Sequence, residues 1–172
     1  RKIAESYNTL GDRIYDLRYS EEQNAKYDFI LNTISLNAET ILDIGCGTGL
    51  LMERLESHSI GLDISSKLLS AAYTRLKNRK NSFLLLSDAE NLPFRNKSID
   101  VLFSVTVIQN IPDRWSVIDE MKRVGKERAV LSVIKKAFLK EKFFELLKTA
   151  QLPSFKILDS GELKDWIAYL NL

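Results

Sequence analysis

The sequence predicts a three-layer, doubly wound α/β fold: a seven-stranded, mostly parallel sheet with a final antiparallel strand and helices on both faces. Three observations lead there. From residue 40 onward, short apolar runs alternate with amphipathic stretches, the pattern of strands joined by helical crossovers. A turn with glycine at alternate positions, Gly45-Cys46-Gly47-Thr48-Gly49, follows the first of these runs, and carboxylates end the first three. The last two runs are separated only by Ser160-Gly161-Glu162, too short for a helical crossover, so the final strand turns back.

Taken in order, residues 1–37 read as a helical N-terminal arm and residues 38–172 as the core of what is one structural domain. Ser20-Glu21-Glu22-Gln23 has the form of a capping box. Tyr27, Ile30, Leu31 and Ile34 follow on one helical face. Before the box, Gly11 and the tyrosines Tyr7, Tyr15 and Tyr19 suggest a break in the arm, which is expected to cover the ligand site. Strands are predicted at Thr40–Asp43, Ser59–Asp63, Ser82–Ser87, Ile99–Val107, Ala129–Ile134, Phe155–Leu158 and Trp166–Leu170. Helices are predicted at Leu50–Glu56, Ser66–Asn78, Asp113–Val124 and Phe138–Ala150, with the Pro93-containing stretch Asp88–Ser98 as a loop.

Composition narrows the function classes. The chain has 172 residues, 45% hydrophobic and 28% charged, which fits one globular domain and excludes a disordered or fibrous chain. No run approaches the roughly 18 apolar residues of a membrane helix, and Arg1-Lys2-Ile3-Ala4-Glu5-Ser6 does not read as a secretory signal, so a cytoplasmic location is expected. Lacking an initiator Met, the sequence reads as starting inside a longer chain. One Cys and one His exclude an internal disulfide and a Cys/His zinc site, and no metal is expected. A net charge of +2 does not by itself call for a nucleic-acid partner.

The chemistry concentrates in Ile41-Leu42-Asp43-Ile44-Gly45-Cys46-Gly47-Thr48-Gly49. Glycine tolerates positive φ and lets a ligand approach the backbone, and a helix opening just beyond would offer free N–H groups. Asp63, at the end of the second strand, can accept from a ribose diol, or cap the helix starting near Ser65 and Ser66. Asp88, beyond the third strand, can accept from an exocyclic adenine amine, or stand as a solvated loop residue.

The order Asp43-x-Gly45-x-Gly47-x-Gly49, then Asp63, then Asp88-Ala89 with Leu92-Pro93-Phe94, resembles the class I S-adenosylmethionine-dependent methyltransferases, especially the small ubiquinone/menaquinone-biosynthesis type of domain. The resemblance implies a Rossmann-like fold and S-adenosyl-L-methionine as cofactor. It places Gly45, Cys46 and Gly47 along the methionine end, Asp63 on the ribose, Ile64 against the adenine, and Asp88 and Ala89 at the adenine edge. Ser104 and Val105 would lie beneath the methionine moiety, and Asp43 would order the loop and face the amino group. A dinucleotide fingerprint puts its third glycine five positions after its first; here Gly49 follows Gly45 by four, which argues against a nicotinamide-dependent oxidoreductase.

Methyl transfer asks chiefly for alignment and exclusion of water. Gln109 and Asn110, after the fourth strand, are the candidates for positioning an acceptor, with loop polarity before a helix capped by Asp113 as the equally open alternative. No general base stands out, and His58 reads as a surface residue. The core lacks a long insertion, and Lys135, Lys136, Lys140 and Lys142 follow the fifth strand. Both features prefer RNA or a translation-related protein as substrate. A small-molecule acceptor, or a catalytically inactive cofactor-binding subunit of a methyltransferase complex, is the alternative. In the family's usual order the strand 82–87 is an uncharged edge, open to a partner strand. By the resemblance, that partner is a small zinc-binding activator protein.

Overall fold

The structure, a computed structural model, describes residues 12–34 and 38–172, with side chains from Ser20 onward. The chain divides into two compact units, Arg1–Asp88 and Ala89–Leu172.

In the first unit, helix α1 (Asp12–Thr33) is followed by β1 (Thr40–Ile44), a 3₁₀ turn at Met52–Arg54, β2 (His58–Asp63), α2 (Ser66–Leu76) and β3 (Ser82–Leu86). β1 pairs in parallel with β2, aligning Asp43 with Gly61, and β2 with β3, aligning Asp63 with Leu86. In the second unit, β4 (Ile99–Val105) leads through a 3₁₀ turn at Ile108–Asn110 to α3 (Arg114–Val124). Next come β5 (Gly125–Ile134), α4 (Lys140–Thr149), β6 (Ser154–Leu158) and β7 (Asp165–Asn171). β4 and β5 are parallel, and β7 runs antiparallel to both β5 and β6. The seven-stranded sheet has the order β3-β2-β1-β4-β5-β7-β6, so the expected fold class holds, with β3 at an edge. Burial follows that order. Val101, Leu102 and Phe103 of β4 are consecutive and all buried, as in a strand covered on both faces. Edge strand β3 instead leaves Phe83 and Leu86 exposed.

Two local expectations fail. The capping box at Ser20 does not start a helix: among the described residues α1 runs unbroken from Asp12, so Ser20 lies within it, while the break suggested at Gly11 lies outside the described residues. Tyr15 to Tyr19 contains neither Gly nor Pro, and an interior serine costs a helix only a few tenths of a kcal/mol. Tyr7 and the start of the arm lie outside the described residues. Second, the helix predicted over Leu50–Glu56 is only the 3₁₀ turn Met52–Arg54. Eight residues between a left-handed Gly49 and the start of β2 leave no room for propagation beyond a costly first turn. The helix-terminus contribution expected there is therefore absent, and the loop must act through its own backbone.

Candidate active site

Strand β1 delivers Asp43 and then the glycine loop. Gly45, Gly47 and Gly49 have φ of +74°, +55° and +80°, which non-glycine residues rarely adopt. The loop is tied to the neighbouring strand: the Gly45 and Cys46 N–H groups both donate to the Leu62 carbonyl, at 2.7 and 3.0 Å. Asp63 completes the anchorage, one carboxylate oxygen accepting from Gly47 N at 2.9 Å and the other from Ser65 N at 2.8 Å. The capping alternative for Asp63 is thus partly realised, while Ser65 supplies the N-cap of α2 through its own hydroxyl, which accepts from Leu68 N. Burial raises the Asp63 carboxyl, and the N–H groups of Ser65, Gly47 and Ile64 pull it back. A carboxylate offers about four lone-pair sites, so Asp63 can hold the loop and still accept from a diol.

Asp43 differs from it. Its side chain is 3% exposed and has no hydrogen-bond donor among the described residues. Burial first, and the charge of Asp63 second, push its pKa up to about 7. A buried carboxyl without a donor is costly unless a ligand supplies one, and a ligand ammonium would do so. Cys46 packs its thiol with Met52, Leu69 and Leu76, so its part in the loop is through the backbone. Burial, then Asp43 and Asp63, raise its pKa well above the thiol range, which removes it as a nucleophile. Ile64 is half-buried and Asp88 exposed.

In the second unit Ala89, Ser104 and Val105 are buried. The Ser104 hydroxyl has no hydrogen-bond partner, although its residue is fully enclosed. After β4 the chain turns through Thr106, which holds φ +63°, an outlier for a β-branched residue. A buried network holds it there. Thr106 Oγ1 and Ser132 Oγ each donate to one oxygen of Asp165 at 2.8 Å, and Thr106 N donates to Ser132 Oγ at 2.9 Å. Gln109 Nε2 donates to the Thr106 carbonyl at 2.8 Å, and its Oε1 is buried without a partner, presented as an acceptor. Asn110 is exposed, and Asp113 caps α3, accepting from Trp115 N and Ser116 N. His58 is a surface residue as expected.

Sequence reasoning missed the residues that hold these loops. Arg75 and Arg79 tie down the glycine loop and the segment after it. Arg75 Nε donates to the Thr48 carbonyl at 2.9 Å and Arg79 to the carbonyls of Glu53 and Leu55. In the second unit Arg123 donates to the carbonyls of Leu92 and Phe94, and Glu120 accepts from Leu92 N, so one ion pair shapes the loop after Ala89. Only the Glu120/Arg123 spacing of three on a helix hinted at a pair. Nothing linear pointed to Thr106, Ser132 and Asp165.

Residues 42–133 match the methyltransferase domain family. Over 99% of its length the chain is 31% identical to a demethylmenaquinone methyltransferase of Thermotoga maritima, of which it covers 69%. The chain belongs to the class I S-adenosylmethionine-dependent methyltransferases. S-adenosylmethionine is the cofactor of this methyltransferase family. The free Asp43 carboxyl, the bare glycine loop and the unpartnered Ser104 hydroxyl fit that ligand, each within its own unit. The chain is also 33% identical to a malonyl-[acyl-carrier protein] O-methyltransferase of Marinomonas sp., spanning 73% of itself and 48% of that relative. It thus spans about half of one relative and just over two thirds of the other. Among solved structures, a complex between the Haloferax volcanii Trm112 methyltransferase activator and a candidate methyltransferase matches with a TM-score of 0.74 at 14% identity. That match covers 91% of this chain and 92% of the other and speaks to the fold.

Proposed function

We propose that the chain catalyses methyl transfer from S-adenosylmethionine to a small-molecule acceptor. The observation that carries this is the loop of left-handed glycines pinned by Asp63 beside a buried Asp43 carboxyl that has no donor of its own. By their names the relatives act on demethylmenaquinone and on malonyl-[acyl-carrier protein], which supports the small-molecule alternative. The preference for RNA or a translation-related protein finds no support in them.

When bound, the cofactor supplies a methyl group on a sulfonium, activated for displacement. In this reading Asp43 takes the ammonium, Gly45, Cys46 and Gly47 line the methionine end with backbone alone, and Asp63 accepts from the ribose hydroxyls. Ile64 covers the adenine, Asp88 and Ala89 meet its edge, and Ser104 and Val105 lie beneath the methionine portion. Gln109, its Nε2 already committed to Thr106, presents Oε1 to a donor group of the acceptor, such as a hydroxyl. With alignment as the protein's main contribution, effective concentration carries most of the rate gain.

Calorimetric titration with S-adenosylhomocysteine tests the cofactor half. Binding is expected in the wild-type chain and lost in Asp63→Ala and Gly47→Val, both still folded by circular dichroism; unchanged affinity in both sinks the site assignment. Radiolabelled methyl transfer to hydroxylated aromatic acceptors tests the other half. Binding without turnover, restored by an added partner, favours the inactive-subunit alternative.

The second reading, a strand-adding partner, has its own observation. β3 is a sheet edge with Phe83 and Leu86 exposed, and Tyr73 of α2 is 71% exposed in the same unit. A structurally similar methyltransferase in complex with an activator protein supports an activator as the occupant, and a small zinc-binding one is our proposal.

A further inference from the structure

The second unit carries a group of cations held on aromatic faces beside the loops that follow β4 and β5. Arg114, the first residue of α3, stacks its guanidinium 5.1 Å from the centre of the Phe138 ring. It forms no ion pair or hydrogen bond among the described residues, and its Nε is buried without a partner. It also stands at the end of a helix where the backbone dipole disfavours a cation. Phe138 is linked onward, since its carbonyl accepts from Trp166 Nε1 at 3.0 Å. Lys135 and Lys140 both rest on the Trp166 ring, with their ammonium groups 4.6 and 5.3 Å from its centre. Lys135 is paired with Asp159 at 3.0 Å, whereas Lys140 has only the indole. Glu141 and Glu145 share a surface cleft of about 300 Å³ with Lys140, yet neither pairs with it. Three cations therefore share one paired carboxylate and are held by aromatic faces instead.

Cation–π contacts are weak at exposed positions, far below a charge-assisted hydrogen bond to an oxyanion. A guanidinium with a desolvated, unpartnered N–H is poised to exchange ring contact for such a bond. We infer that Arg114 and Lys140, on the Phe138–Trp166 shelf, form a binding site for an oxyanion, a carboxylate or phosphate, carried by a small-molecule acceptor. Its link to the acceptor rests on the reading of the chain as a methyltransferase; the anion site itself does not. Asp165, next to Trp166 in the chain, anchors Thr106 and with it the Gln109 loop, so the shelf is built onto the same support as the residue assigned to the acceptor.

Trp166 reports on the site once Trp115, the other tryptophan, is replaced by Phe. The Trp115→Phe chain is titrated with inorganic phosphate, with benzoate and with neutral benzamide at constant ionic strength. Saturable fluorescence changes are expected with the anions and not with benzamide, and whichever anion binds more tightly gives the source. Arg114→Gln and Lys140→Gln should each weaken binding about tenfold, the loss of one charge-assisted hydrogen bond, and the double variant should abolish it. No saturation with either anion, equal binding of benzamide, or an unaffected double variant overturns the site. Saturation only by a single-stranded RNA oligonucleotide overturns it in favour of a nucleic-acid surface. A parallel titration with S-adenosylhomocysteine separates the two readings. Failure there with anion binding intact refutes the proposed methyl-transfer activity and leaves the anion site standing. The converse removes the anion site alone.

Discussion

At the residue scale, Asp43 and Asp63 show how neighbouring carboxylates acquire different tasks. Asp63 is stabilised as an anion by backbone N–H groups, whereas Asp43 has only burial and a like charge. With a folded-state pKa raised to about 7, Asp43 binds its proton more tightly than in the unfolded chain. Its ionisation therefore destabilises the free protein progressively as pH rises from about 4, the ordinary carboxylate value, through about 7. A ligand ammonium reverses the preference. S-adenosylhomocysteine affinity should rise with pH to about 7 and then level, with proton release on binding near neutrality. Calorimetry in buffers of different ionisation heat reads that release; flat affinity and no proton release would remove Asp43 from the site. Thr106 is the second residue-scale case. Its left-handed backbone costs about 1–3 kcal/mol and is held by Ser132 and Asp165. Asp165→Ala removes the acceptor of both hydroxyls and should cost about 1–3 kcal/mol in all, measured by urea unfolding.

At the element scale, the glycine loop works because β2 makes room for it. Gly61 sits opposite Asp43, and a Cβ there would fall 2.3 Å from Met52 Sδ and 2.8 Å from Cys46 Sγ. Gly61→Ala should therefore cost about 1–3 kcal/mol by overpacking and shift the loop, lowering S-adenosylhomocysteine affinity as well as the urea midpoint. The alternate glycines, the strand-end carboxylates and the Asp113 cap were legible because each is a local pattern with a local cause. The short 3₁₀ turn after Gly49 was not, since leucine-rich segments read as helical whether or not space remains for a helix. The uninterrupted α1 escaped notice for the opposite reason: a serine followed by Glu-Glu-Gln imitates a start signal inside a longer helix. Arg75→Met should weaken cofactor binding severalfold with little loss of stability, because it holds the Thr48 carbonyl from a half-exposed position.

At the scale of the whole molecule, the sheet order leaves β3 at an edge with two large apolar side chains exposed. Native edges are usually blunted by charge or proline, and this one is not. Phe83→Lys with Leu86→Lys should leave S-adenosylhomocysteine binding intact while reducing association with a strand-donating activator, scored by co-purification of the two defined chains. Equal co-purification of the variant would place any such partner elsewhere. Among the described residues no helix is long and apolar enough to cross a membrane.

By itself the sequence determined the fold class, the cofactor family and the strand ends that carry the carboxylates, because hydrophobic period and turn chemistry are written in neighbouring residues. The tertiary structure decided what depends on residues distant in the chain. Arg75 and Arg79 became loop anchors, Glu120 and Arg123 a brace, and Thr106, Ser132 and Asp165, from three different strand ends, one buried network. It also decided which charges lack counter-ions, leaving Arg114 and Lys140 on aromatic faces. The physical reason is that propensity acts over a few residues, whereas burial and hydrogen-bond satisfaction are settled only when the chain brings remote segments together.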